Sequence, residues 1–165
     1  MINKNIAKQI LKQVHEEFFS ERTYIAMEMY FKRLDLNGYA DLFHEYALEE
    51  RGHAYDMLEF LDEWNCDTTI SLDTKEIPNN YTSPMNVFEV AYTHEKYITK
   101  SIMDIYKNAV KEGDIVSQQF LNKYLEEQRE EEDKMCERLM RLKLAGDNTS
   151  AILLLDHEQV NQQIK

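Results

Sequence analysis

The chain is short of residues that break helices. Its 165 residues include 4 Gly and 2 Pro, too few to turn an all-β chain as often as such folds require. Cysteine is equally scarce: Cys66 and Cys136 are the only two and form no CxxC pair. That spacing excludes structural zinc and thioredoxin-like redox chemistry and reads as thiols of a reducing compartment. Long apolar runs are missing too. The longest, Ala151–Leu155, is far below the length of a membrane span, so no membrane partner is expected. The opening Met1-Ile-Asn-Lys-Asn has no apolar signal-peptide core, and a cytoplasmic location is expected. Basic residues are outnumbered, 19 Lys and Arg against 31 acids for a net charge of −12, which excludes a phosphate-reading surface and hence nucleic acid. What remains is plentiful apolar material, 43 %, enough for the core of one all-α domain over residues 1–165.

The few helix breakers organise that domain. Asn37-Gly38 follows a long helical stretch, and Gly113-Asp114 and Gly146-Asp147 close two more, in the manner of left-handed C-caps. Pro78 lies in a Thr-, Asp- and Asn-rich segment running from Cys66 to Ser83, and Ser83-Pro84 follows as an N-cap with proline at the first helical position. The pattern predicts helices over about 4–35, 38–65, 84–112, 114–144 and 149–161. Tight turns make hairpins of the first and second helices and of the third and fourth. The second-to-third link has about eighteen residues and can reach roughly 59 Å. A helix of this length spans roughly 42 Å, so the link can run the length of a bundle. The expected architecture is a four-helix bundle with one long crossover plus a short fifth helix.

The seams of that bundle carry a departure from apolarity. The third helix offers Phe88, Ala91, Glu95, Ile98, Ile102, Ile105 and Ala109 at spacings of three and four. The first gives Val14, Glu17, Tyr24, Met27, Phe31 and Leu34; the second Leu42, Tyr46, Glu50, His53, Met57, Phe60 and Trp64. The fourth gives Leu121, Tyr124, Gln128, Glu131, Met135, Leu139 and Leu142. Each helix has its polar residues near its middle, on the face that should be buried. Their spacing repeats: a shift of 78 carries Glu17 onto Glu95, Glu50 onto Gln128, His53 onto Glu131 and Tyr46 onto Tyr124. Two similar hairpins about a pseudo-twofold axis would bring all of these to one level.

A buried carboxylate costs several kcal/mol unless it is paired, protonated or metal-bound. The seams supply no Lys or Arg to pair these acids. Four carboxylates, one imidazole and one amide form an oxygen-rich set suited to iron or manganese rather than to structural zinc or copper. Four negative charges also match two divalent ions. The expectation is a two-metal carboxylate site in a bundle core.

On those residues the chain resembles the bacterial non-haem ferritins, members of the ferritin-like di-iron superfamily. His15-Glu-Glu-Phe-Phe-Ser20 leading to Tyr24, and Ala47-Leu-Glu-Glu-Arg-Gly-His53, resemble the first two ferritin helices. Tyr92-Thr-His-Glu-Lys-Tyr-Ile-Thr99 and Tyr124-Leu-Glu-Glu-Gln-Arg-Glu-Glu-Glu132 resemble the next two. The resemblance implies a ferroxidase centre of two irons: Glu17, Glu50 and His53 for the first, with Glu50 bridging to a second completed by Glu95 and Gln128. Glu131 marks the prokaryotic type. Glu49, Glu127 and Glu130 match a third, inner iron site adjoining Glu131, and Tyr24 matches a tyrosine beside the centre that donates a hydrogen bond or an electron. Haem is not expected, since the position of the haem-binding Met of bacterioferritins is Arg51 and their second Glu-x-x-His is replaced around Glu131.

The implied function is oxidation of Fe(II) by O2 or H2O2 and storage as a ferric mineral inside a hollow cage of 24 copies. The fifth helix would pack at a contact between copies. Two alternatives remain open at this stage: a small di-iron oxidase or peroxidase without storage, and a helical assembly protein with an inactive site. His15, His44, His94 and His157 are expected at surfaces or interfaces, not as ligands. Gly52, inside the second helix, is expected to mark a tight backbone approach.

Overall fold

A computed structural model of the protein describes residues 2–71 and 75–163, with side chains as far as Val160. Met1, residues 72–74 of the link, and residues 164–165 lie outside the described residues. Among the described residues there are five helices and no strand: α1 (Lys4–Arg33), α2 (Asn37–Glu63), α3 (Pro84–Lys111), α4 (Ile115–Ala145) and α5 (Thr149–Gln163). None is long and apolar enough to cross a membrane.

The caps fix the topology. Asn3 caps α1 through its own side chain, which accepts from Asn5 N at 2.8 Å. Ser83 caps α3 by accepting from Asn86 N at 3.1 Å, with Pro84 in the first turn. Asp114 caps α4 by accepting from Ser117 N at 3.0 Å, and it also accepts from Asn3 N at 2.8 Å. One aspartate thus joins the starts of α1 and α4 at the same end of the bundle. With α1 antiparallel to α2 and α3 to α4, the long link must run from one end to the other, as its length predicts.

The turns depart from the glycine pattern at one point. Gly113 does take positive φ (+66°), and so does Gly146 (+55°), although ψ of −134° takes Gly146 out of the left-handed helical region. After α1 the left-handed residue is Asp35 (φ +56°), and after α2 it is Asn65 (φ +53°). Gly38 caps nothing. It sits in the first turn of α2, where a Cβ would lie 1.9 Å from the Asp156 carbonyl oxygen of α5. Asp156 is buried there and accepts from Tyr39 N at 2.7 Å, satisfying one of the free N–H groups of the α2 N-terminus from another helix. Arg138 Nε to Gln159 Oε1 at 3.1 Å and the Arg141–Glu158 ion pair hold the other side of α5 to α4. So α5 packs on its own bundle, while Leu153 and Leu154 stay exposed. Gly52 meets nothing within 4 Å, and no close approach within the chain explains it.

The core has two apolar halves. One contains Ile6, Ile10, Val14, Met57, Leu61, Ile98, Ile102, Leu121 and Tyr124. The other contains Tyr24, Met27, Phe31, Tyr39, Phe43, Tyr46, Phe88, Met135 and Leu139, and in it Phe31 and Phe43 stack with centroids 5.5 Å apart. Tyr46 and Tyr124, matched by the shift of 78, fall in opposite halves, as an axis across the bundle requires. All seven seam positions of α3 and of α4 are buried. Leu34 fails as a seam residue: it lies just past α1 and is 47 % exposed, and in the second seam Leu42 and Trp64 are only partly buried.

Two substitutions separate the glycines. Gly38→Ala should destabilise the protein by about 1–3 kcal/mol, because the obstructing atoms belong to backbone. Gly52→Ala should stabilise it by about 0.5–1 kcal/mol, the cost of glycine inside a helix. Urea denaturation followed by helical circular dichroism measures both; a Gly38→Ala protein as stable as the original would contradict the contact with α5.

Candidate metal centre

Between the two apolar halves lies one polar layer. Glu17, Glu50, His53, Glu95, Gln128 and Glu131, one or two from each of α1–α4, are all at most 9 % exposed. Heptad-like seams place them there: each occupies a core position of its helix, in a seam whose other members are apolar or aromatic. Donor atoms of Glu17, Glu50 and His53 lie within 4.8 Å of one another. On the opposite side Gln128 Nε2 donates to Glu95 Oε2 at 2.8 Å, and the Tyr24 hydroxyl donates to Glu95 Oε1.

The layer is short of protons and partners. Gln13 Nε2 donates to Glu17 Oε1 at 2.8 Å, and Ser101 fixes that amide by donating to Gln13 Oε1 at 2.5 Å. Glu17 Oε2 is buried without a hydrogen-bond partner, and so is Glu131 Oε2. Burial pushes the Glu17 carboxyl well above the usual carboxylate range, and the charge of Glu50 adds to it. Burial and then the charge of Glu95 do the same to Glu50. Burial is also the main cause that lifts Glu95 from 4.5 to about 7, against the opposing bonds from Tyr24 and Gln128. Tyr24 is held as a phenol, raised first by burial and then by the charges of Glu95 and Glu50. Acids whose ionisation burial opposes are what a metal site presents to its metal.

His53 belongs to two clusters. Its Nδ1 lies 3.3 Å from Glu50 Oε2, and its Nε2 lies 3.3 Å from Glu127 Oε2. Donor atoms of Glu49, His53 and Glu127 also fall within 4.8 Å of one another. The ring can therefore turn Nδ1 toward the Glu17–Glu50 side while Nε2–H is fixed by Glu127. That is the arrangement by which a carboxylate sets the tautomer of a ligating imidazole.

The expected inner group assembles only in part. Glu49 and Glu127 meet at His53, whereas Glu130 is exposed. Glu131 is not uncompensated, contrary to the sequence expectation, because Lys134 Nζ lies 2.6 Å from Glu131 Oε1. This lysine is one helical turn from Glu131 and half-exposed, so it belongs to no seam and the seam pattern could not reveal it. Gln13 and Ser101 escaped notice for the same reason: they touch the layer through Glu17 rather than entering it. His94 also departs from expectation. It hydrogen-bonds Ser20 Oγ at 2.7 Å and sits among the rings of Phe19, Tyr24 and Tyr97. Burial and then Lys75 push it down to about 4, so it stays neutral.

Residues 7–145 match the model of the ferritin-like domain family, named Ferritin. The chain belongs to the ferritin family. Among curated ferritins it is 28 % identical to a bacterial non-heme ferritin of Campylobacter jejuni, covering 94 % of this chain and 93 % of that one. It is 30 % identical to a probable bacterial non-heme ferritin-like protein of Haemophilus influenzae, over 100 % of this chain and 99 % of the relative. Its fold is similar to an open pore ferritin of the hyperthermophilic archaeon Archaeoglobus fulgidus, with a TM-score of 0.92 and 30 % identity over 96 % and 98 % of the two chains. In a ferritin, iron is the ion against which the donor set is tested. The orphaned oxygens of Glu17 and Glu131 and the hard oxygen-rich character of the layer both fit it.

The raised carboxyls have a consequence for stability. Glu95 holds its proton up to about 7 in the fold but releases it near its usual 4.5 when unfolded. Between those values the folded state binds more protons, so the chelator-treated protein loses stability as pH rises from about 4.5 to 7. Glu17 and Glu50 act in the same direction. Thermal denaturation in chelator at pH 5.5 and pH 8 should show the lower melting temperature at pH 8, with Glu95→Gln narrowing the gap. Equal melting temperatures would contradict the electrostatics of the layer.

Proposed function

We propose that the protein oxidises Fe(II) at the polar layer and stores the product as a ferric mineral within a closed homo-oligomer. Iron is substrate and cargo in this reading. The observation that carries it is the buried set of Glu17, Glu50, His53, Glu95, Gln128 and Glu131, with two carboxylate oxygens lacking any partner, in a chain of the ferritin family.

Glu17, Glu50 and His53 hold one Fe(II), and Glu50 reaches toward a second that Glu95 and Gln128 complete. Two Fe(II) lose one electron each. O2 takes both electrons with two protons and becomes H2O2; with H2O2 as oxidant, its O–O bond breaks and two hydroxides form. Anionic oxygen donors stabilise the Fe(III) product over Fe(II). Gln128 is the neutral oxygen donor of the set and a weak hold on a trivalent ion, which suits a site that must discharge. The carboxyls release their protons as iron enters, so loading acidifies the medium. Tyr24 orients Glu95 through its hydroxyl. Were Tyr24 to give up an electron, the same hydrogen bond would carry its proton to Glu95.

Storage needs self-association, and the resemblance implies 24 copies. Leu144, Leu153 and Leu154, exposed at and beyond the end of α4, supply apolar surface for contacts between copies. Both cysteines are free thiols, in keeping with a reducing, cytoplasmic setting. By resemblance, a third, inner iron is assigned to Glu49, Glu127 and Glu130, adjoining Glu131.

Glu50→Ala is the direct test. Partners of metal ligands are themselves worth about 10–100-fold, so loss of the bridging carboxylate should slow rapid ferric absorbance in stopped flow by more than ~100-fold, with the native mass unchanged. An unchanged rate would remove Glu50 from the centre. Native mass and retained iron separate storage from a small di-iron oxidase: a dimer that keeps two irons per chain would sink the storage reading.

A further inference from the structure

The inner edge of the polar layer holds a cation of the protein's own. Glu131 is 5 % exposed; its Oε1 receives Lys134 Nζ at 2.6 Å, and its Oε2 has no partner. The ammonium also lies in the field of Glu49 and Glu130. Glu49 reaches His53 and Glu127 within 4.8 Å. Glu49 and Glu127 meet at one imidazole, and Lys134, from the next turn of α4, sits between Glu131 and the fields of Glu49 and the exposed Glu130.

We propose that Lys134 is a built-in counter-ion that occupies the inner carboxylate cluster in place of a divalent cation, so that the cluster takes an ion only when the lysine swings out. The inference rests on the reading of the layer as an iron centre, and it deepens that reading by restricting the inner site.

Three features support it. The contact is to the buried acid of the group, not to an exposed one. Lys134 is half-exposed, with four carbons of flexible stem, so it can leave without unfolding α4. And the opposite ion is already in place: a divalent cation would have to approach within a few ångströms of a unit positive charge, where repulsion at a half-exposed site is strong. The effect on the neighbouring centre is selective. Among the described residues no lysine pairs with Glu17, Glu50 or His53, so their attraction for a cation is undiminished while that of the inner group is reduced.

The test uses Zn(II), which has no redox chemistry, titrated calorimetrically into the assembled protein, with anomalous scattering at the zinc edge from soaked crystals. Lys134→Gln should raise affinity at the inner cluster by at least about tenfold and add a peak beside Glu49, Glu127 and Glu131. Lys134→Arg keeps the charge and should behave as the original chain. Equal binding by the original protein and Lys134→Gln would overturn the proposal. So would a gain in Lys134→Arg, or an inner peak in the original protein at the zinc concentration that fills the other sites. Those last two observations need no neutral variant, so they decide the matter even where Lys134→Gln assembles poorly. If the original protein binds no zinc at Glu17, Glu50 and His53 while Lys134→Gln gains the inner ion, the iron-centre reading fails and the lysine's role stands.

Discussion

The structure depends on one unfavourable act: the burial of four carboxylates at mid-height in a helical bundle. Each is desolvated, and desolvation of a carboxylate costs several kcal/mol when nothing offsets it. The fold meets that cost in parts. Gln13 and Gln128 donate amide hydrogens, Tyr24 donates a hydroxyl, Lys134 donates an ammonium to Glu131, and Glu17, Glu50 and Glu95 hold their protons more tightly. Two apolar halves on either side keep the layer in place. Neither half could seal the bundle alone, since the layer interrupts every seam at the same level.

Much of this was legible in the sequence because helical spacing is rigid. Once α3 is read as a seam, Glu95 can only point inward, and the equal intervals from Glu17 to Glu50 and from Glu95 to Gln128 place four helices in register. The crossover was legible from length alone. What spacing does not carry is the shape of a neighbour. Gly38 was read as a turn residue because it follows Asn37, yet its role is set by Asp156, more than a hundred residues later. Leu34 extends the seam arithmetically but falls after the helix has ended at Arg33. Lys134 was invisible for a related reason: a long side chain reaches into a seam from outside it, and a pattern of Cα positions records only where the chain begins.

The geometry supplies the closeness of Glu17, Glu50 and His53 and the poverty of partners around them. The family supplies iron. The two agree, because carboxylate outnumbers imidazole in the layer and so favours hard, oxygen-seeking ions.

The two hairpins are alike in spacing and unlike in chemistry, and the difference gives the site a direction. In the second hairpin, Gln128 and Tyr24 both donate to Glu95, and Lys134 pairs with one oxygen of Glu131 while the other has no partner. In the first hairpin, Glu50 faces Glu17 and His53, and Glu17 keeps an oxygen without any donor. Replacing a glutamate by Gln128 and a histidine by Glu131 is what separates them. The amide removes one repulsive charge from beside Glu95, and the acid in the histidine's place calls for a lysine. A cation therefore gains most at Glu17, Glu50 and His53, where it displaces no existing hydrogen bond from the bare Glu17 oxygen. At Glu95 it must first compete with two donors, Tyr24 and Gln128. A pseudo-symmetric bundle thus acquires one strong and one adjustable position from the identity of two side chains on α4.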